Sequence, residues 1–167
     1  DVKIEPEMLS TITAHLYAQN MIFKYANKFY REHKTIASPD KFEITDEIYN
    51  DFVKFVESQD FKYTSESEKD FEELVKTAKT EGYYDNIKEQ LDLLEEELKS
   101  HKDNDLVNNK KEISDILKME IVSRYYFQKG RIISALNDDP ELKRAVEILL
   151  NSNGKNEYET ILKGINN

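Results

Sequence analysis

Residues 105–136 read DLVNNKKEISDILKMEIVSRYYFQKGRIISAL, and they set Ile113, Leu117, Ile121, Tyr125 and Ile132 along one face of a helix. That spacing predicts one long helix over about 105–136. Gly130 lies inside it and costs roughly 1 kcal/mol relative to alanine, so the position implies either close packing or a kink.

Working back toward the start, apolar residues recur at the same helical interval. Leu9, Ile12, Leu16, Ile22, Tyr25 and Phe29 predict a helix over Leu9 to His33, with Ser10 as cap or first-turn residue. Pro39 ends the loop that follows. Thr45 suits an N-cap, because Asp46 and Glu47 then fall in the first turn, where the helix dipole favours anions. Ile48, Phe52, Phe55 and Val56 make the buried stripe of that helix. Two flanking segments, Phe42-Glu43-Ile44 and Phe61-Lys62-Tyr63, alternate apolar and polar, as extended arms or as strands of a minimal ribbon. Ser65 with Glu68 matches a capping box ahead of Phe71, Leu74, Val75 and Ala78, and Gly82 interrupts that helix. Ile87, Leu91, Leu94 and Leu98 then step by 4, 3 and 4. This is a helix seam too short for a free coiled coil, so it predicts packing on a neighbouring helix. His101 to Asn104 reads as a turn.

Beyond the long helix, Pro140 follows Asn137-Asp138-Asp139 at a helix N1 position and opens an element with Leu142, Val146, Leu149 and Leu150. Ser152 to Asn156 reads as a loop, and Tyr158 to Ile165 as a last short turn of helix. The opening Asp1-Val2-Lys3-Ile4-Glu5-Pro6 alternates and then meets proline, as the tail of a strand does. A lone strand needs a sheet, so the chain is expected to be the C-terminal piece of something larger. The fold expected is all-α: a helical bundle with one long helix, preceded by a short remnant strand.

Composition agrees and removes several functions. The 167 residues carry 24 Lys and Arg against 34 Asp and Glu, a net charge of −10. That sign argues against nucleic acid as a partner, because binding a polyanion draws its affinity from Lys and Arg neutralising phosphates. With no cysteine there is no disulfide, thiolate metal site or cysteine nucleophile. No apolar run approaches the roughly 20 residues that span a bilayer. His15, His33 and His101 have no second ligand at helical spacing, so no metal site is expected. Asp103-Asn104-Asp105 resembles the start of a calcium loop, but the sixth position is Asn108 and the twelfth is Ser114, and the match fails. There is no G-x-S-x-G, no S-x-x-K and no glycine-rich phosphate loop. Catalytic residues, metal and cofactor are each expected to be none.

Two features remain. From Glu66 to Asp105 there are 14 acidic residues against 6 lysines, a net of −8 within the total of −10. This is either a solvated face or a docking face for a basic partner. Tyr125-Tyr126-Phe127 cannot all face one side of a helix, because neighbours stand about 100° apart. Either the rings line a second contact, with another domain or subunit, or they belong to an aromatic-rich core with hydroxyls at its rim.

Four segments together resemble the C-terminal region of long bacterial carboxyl-terminal processing peptidases, the tail-specific serine proteases. They are Asp1-Val2-Lys3-Ile4-Glu5-Pro6, Ile44 through Phe52 (ITDEIYNDF), Ile121 through Arg131 (IVSRYYFQKGR), and Asp138-Asp139-Pro140-Glu141-Leu142 with Ala145-Val146. In that family a G-I-x-P-D-V segment closes the protease core, and this chain begins at its Asp-Val. The resemblance implies that residues 1–6 end the protease core and 7–167 form a helical C-terminal domain. It also implies that the family's Ser–Lys dyad and PDZ domain lie upstream, so the parent is a serine-type endopeptidase and this chain alone is inactive. The partners implied are the chain's own protease and PDZ domains, the parent's protein substrates and a further copy of the chain, in the periplasm of the bacterial cell envelope. Tyr125, Tyr126, Phe127 and Arg131 are the candidates for the interdomain or subunit contact. The alternative is an acidic helical adaptor that binds a basic protein.

Overall fold

The computed structural model describes residues 8–136 and 139–150. Eight helices stand among them: α1 (Thr11–Ala18), α2 (Met21–Glu32), α3 (Asp46–Ser58), α4 (Glu66–Glu81), α5 (Tyr84–Asp103), α6 (Asp105–Asn108), α7 (Lys110–Leu136) and α8 (Pro140–Leu150). No strand occurs among the described residues, and the fold is the all-α bundle expected. The remnant strand at 1–6 and the loop and turn expected over 152–165 lie outside those residues.

The helix expected over Leu9 to His33 is two helices. The chain turns at Asn20, whose φ of 60° and ψ of 25° are left-handed, a conformation asparagine tolerates better than most residues. Ser10 caps α1 by accepting from the Thr13 amide. The break lets Ile12 and Leu16 of α1 join Ile22, Tyr25, Ala26 and Phe29 of α2 in one core.

α7 lies along α2 as the main helix pair of the body, and contributes Ile113, Leu117, Ile121 and Val122, all fully buried. α3 closes the core with Tyr49, Phe52 and Val56. Its Thr45 cap forms as expected, the hydroxyl accepting from the Ile48 amide at 3.3 Å. Phe52 meets Tyr25 edge-on at 5.2 Å. The Tyr25 hydroxyl donates to Asp51 Oδ2 at 2.9 Å, with Ile48 O at 3.1 Å, and Tyr49 donates to Leu106 O at 2.5 Å. Burial pushes the Tyr49 phenol up to about 12. Burial, then the Asp51 carboxylate, raises Tyr25 as well. Residues 42–44 and 61–63 form neither helix nor strand, so no ribbon is made, and Phe42 is buried against the body.

α4 and α5 form a separate hairpin. The Ser65 capping box is complete, with both reciprocal bonds made. Gly82 ends α4 at φ 78°, a left-handed position that favours glycine. The leucine seam packs on α4 as predicted but is thinly covered: Leu91 alone is buried on α5 and Ala78 alone on α4. The hairpin is fixed at its base. Lys102 Nζ donates to both Glu68 carboxylate oxygens at 2.8 Å and to Tyr63 O at 2.5 Å. Tyr63 in turn donates to Asp105. Burial raises the Glu68 carboxyl, yet the Lys102 ammonium and the Ser65 amide outweigh it and hold the group below its ordinary range.

The single long helix over 105–136 does not form. α6 is a separate turn, and α7 breaks at Phe127, where φ is 55° and ψ is −158°. A Cβ on Gly130 would stand 2.2 Å from Tyr126 Cβ and 3.2 Å from Val122 Cγ1. Val122 and Gly130 are eight positions apart, about 12 Å of rise in a straight helix. The second part of α7 therefore doubles back on the first, and glycine at 130 is what lets it approach. The close packing expected of Gly130 is present; the break comes three residues earlier.

Candidate functional site

The elbow in α7 gathers the residues that the sequence singled out, and it separates their roles. Tyr125 is half-buried. Its hydroxyl donates to His33 O at 2.7 Å and its ring meets Tyr30 edge-on at 4.9 Å. Burial, with Tyr30 beside it, raises its phenol. Tyr126 donates to Ile36 O at 3.4 Å. These two rings hold the loop after α2 against the elbow. Phe127 does the opposite: the residue that carries the break is itself 77% exposed. Arg131 is exposed one turn later, with Ile132 beside it.

Two cations of α7 are anchored. Arg124 donates from Nε to Asn27 Oδ1 at 2.8 Å and from Nη2 to Glu120 Oε1 at 2.7 Å, with its guanidinium 4.6 Å over the Phe23 ring. Lys118, 3% exposed, donates to Glu43 Oε1 at 2.8 Å. This lysine was missed in the sequence, although its place beside Leu117 on the core-facing side of α7 is a signal for a paired buried charge. Ser134 was missed too. Its buried hydroxyl has no hydrogen-bond partner, and only the reversal of the chain brings it to a cavity of about 260 Å³ shared with Lys118 and Asp115.

Among the described residues no group of three or more His, Cys, Asp or Glu is placed to hold a metal ion. Two of the three histidines pack on aromatic rings: His33 stacks on Phe29 at 3.9 Å and His15 lies against Tyr63 at 5.3 Å. Among the described residues no helix is long and apolar enough to cross a membrane.

The family described as "Probable PDZ-protease, C-terminal helical domain" matches residues 12–149. No curated protein and no solved structure matches the chain. The family match runs from α1 to the last turn of α8 and takes in the body, the hairpin and the elbow alike. The chain belongs to the C-terminal helical domain family of probable PDZ-proteases.

Proposed function

We propose that this domain is a non-catalytic part of a tail-specific serine peptidase and packs on the protease core through Tyr125, Tyr126, Phe127 and Arg131. The parent reaction is hydrolysis of peptide bonds near protein C-termini in the bacterial periplasm. The domain's work is to shape access to an active site that other domains supply.

The observation that carries this reading is Phe127. A non-glycine residue in that backbone region costs on the order of 1–3 kcal/mol and persists only where the surroundings hold it. Here the strained backbone presents an apolar ring to solvent. Covering a phenylalanine side chain is worth about 1.5–3 kcal/mol, so a docked neighbour recovers what the isolated domain leaves unused.

The test is peptidase activity on an unstructured C-terminal peptide, measured for the upstream core alone and joined to this domain with or without Phe127→Ala. The domain alone is expected to be inert, and Phe127→Ala to alter the joined enzyme's rate while leaving the melting of the isolated domain nearly unchanged. If the variant instead destabilises the isolated domain by the 3–5 kcal/mol typical of a core aromatic, about what Phe→Ala costs in a core, the ring is core and the reading falls. A rate that responds only where the chain dimerises assigns the elbow to a subunit contact.

A further inference from the structure

The apolar seam of the α4–α5 hairpin is thinly covered, with Leu91 its one buried member and Leu94 44% exposed. α4 packs on α5 and on no other helix to a comparable extent. The two helices are joined by a tight glycine turn, lie side by side, and leave a groove of about 400 Å³ between them. Phe71, Val75, Leu91 and Leu98 give the groove its apolar lining. Glu72 and Asp92 line it as well, and both are exposed and form no ion pair among the described residues. The other two acids along it are already neutralised, Glu68 by Lys102 and Glu95 by Lys99.

We propose that this groove docks an amphipathic helix of a partner protein, apolar along one side and flanked by lysine and arginine, which completes a three-helix unit with α4 and α5. The apolar lining asks for a third helix, since anchors spaced at i, i+3, i+4 and i+7 fit a two-helix groove. The charge decides what flanks those anchors. Residues 66–105 hold 14 acidic groups against 6 lysines, so the potential around the groove attracts a basic segment and repels an acidic one. The same sign excludes an anionic membrane surface. The groove is separate from the elbow, so docking here stands or falls independently of packing on the protease core.

The experiment uses the whole 167-residue chain. The probe is a dye-labelled peptide of about 18 residues, long enough to hold a helix, with leucines at helical spacing and lysines on both flanks. Its control has the same composition scrambled so that no apolar face forms. Fluorescence anisotropy is expected to show saturable binding that weakens as salt is added. The scrambled peptide is expected to bind about tenfold more weakly or worse, a difference of about 1.4 kcal/mol. Glu72→Lys with Asp92→Lys should cause a similar loss while the helical circular dichroism of the chain is retained. Equal binding of the scrambled peptide overturns the proposal, because the attraction is then charge alone. Unchanged affinity in the double variant overturns it as well. So does an absence of binding, whether the chain sediments as a monomer or as a dimer whose second copy fills the groove.

Discussion

The body and the hairpin are built from the same local ingredients and end in different states. Each has well-made caps, an amphipathic face and tyrosine hydroxyls satisfied across elements. In the body, α1, α2, α3 and α7 surround one another, and Leu16, Ile22, Phe52, Leu117 and Ile121 are all 0–1% exposed. In the hairpin α4 and α5 pack chiefly on each other, and Leu74 and Leu94 stay 47% and 44% exposed. Burial here is set by the number of neighbours rather than by helix propensity. The hairpin's order comes from its polar base, where Lys102, Glu68 and Tyr63 converge.

The strongest way to break that contrast is to delete the same atoms from each region. Leu117→Ala removes a fully buried side chain and is expected to cost 2–5 kcal/mol, the usual range of such a core truncation (about one cavity). Leu94→Ala should cost less than about 0.5 kcal/mol. Urea unfolding of both variants measures the gap, and comparable losses would mean that the hairpin seam is covered after all.

The polar base gives the next effect. Lys102→Met leaves the Glu68 carboxylate without its cation in a partly buried site, a loss on the order of 1–3 kcal/mol. Amide exchange should rise in α4 and α5 while the body keeps its protection. The Glu68 carboxyl is held below its ordinary 4.5 in the folded chain. Its contribution is therefore complete above the unfolded value and is lost as pH falls through the lower folded one. Hairpin protection should fall in acid in the natural chain, and Lys102→Met should flatten that dependence. Asp51, hydrogen-bonded by Lys28 and so also lowered, gives the body an acid response that the variant leaves intact.

The elbow separates two kinds of backbone demand. Gly130→Ala places a Cβ against Tyr126 and Val122, and the helix must shift, at about 1–3 kcal/mol. Phe127→Gly relieves a strained φ, worth on the order of 1–3 kcal/mol, and gives back about 0.5–1 in chain freedom. Its expected net effect is a gain near 1 kcal/mol in thermal stability, together with weaker docking. A loss of stability would show that the Phe127 ring supports the isolated fold.

Much of this was legible in the sequence. Apolar periodicity located the helices, and residue chemistry located Thr45, Ser65, Gly82 and Pro140 at the helix ends they occupy. Turns of the chain inside a periodic stretch were not legible. Asn20 breaks one helix and Phe127 another, yet the flanking apolar residues keep a helical interval on both sides. The aromatic triple did signal that one helix face was too narrow for residues 125–127. What it could not convey is that the chain answers by reversing, because that depends on the space Gly130 opens against Val122. Lys118 and Ser134 meet only through that reversal.

The smallest effect sharpens the comparison most, since it applies one lesion to both regions. Thr45→Ala and Ser65→Ala each remove a hydroxyl that accepts from a first-turn amide, at 3.3 Å and 3.1 Å, and each should cost about 1 kcal/mol. The sum is alike, but its destination differs. α3 shares the core with α1, α2 and α7, so loosening its first turn should lower the global unfolding free energy and raise exchange throughout the body. α4 leans chiefly on α5, so Ser65→Ala should fray the hairpin and leave the body's slowest amides where they were. Residue-resolved exchange separates the two. If Ser65→Ala accelerated the slowest amides of α2 and α7, the hairpin would belong to the same cooperative unit as the body, and the division drawn here between a surrounded core and an open arm would be wrong.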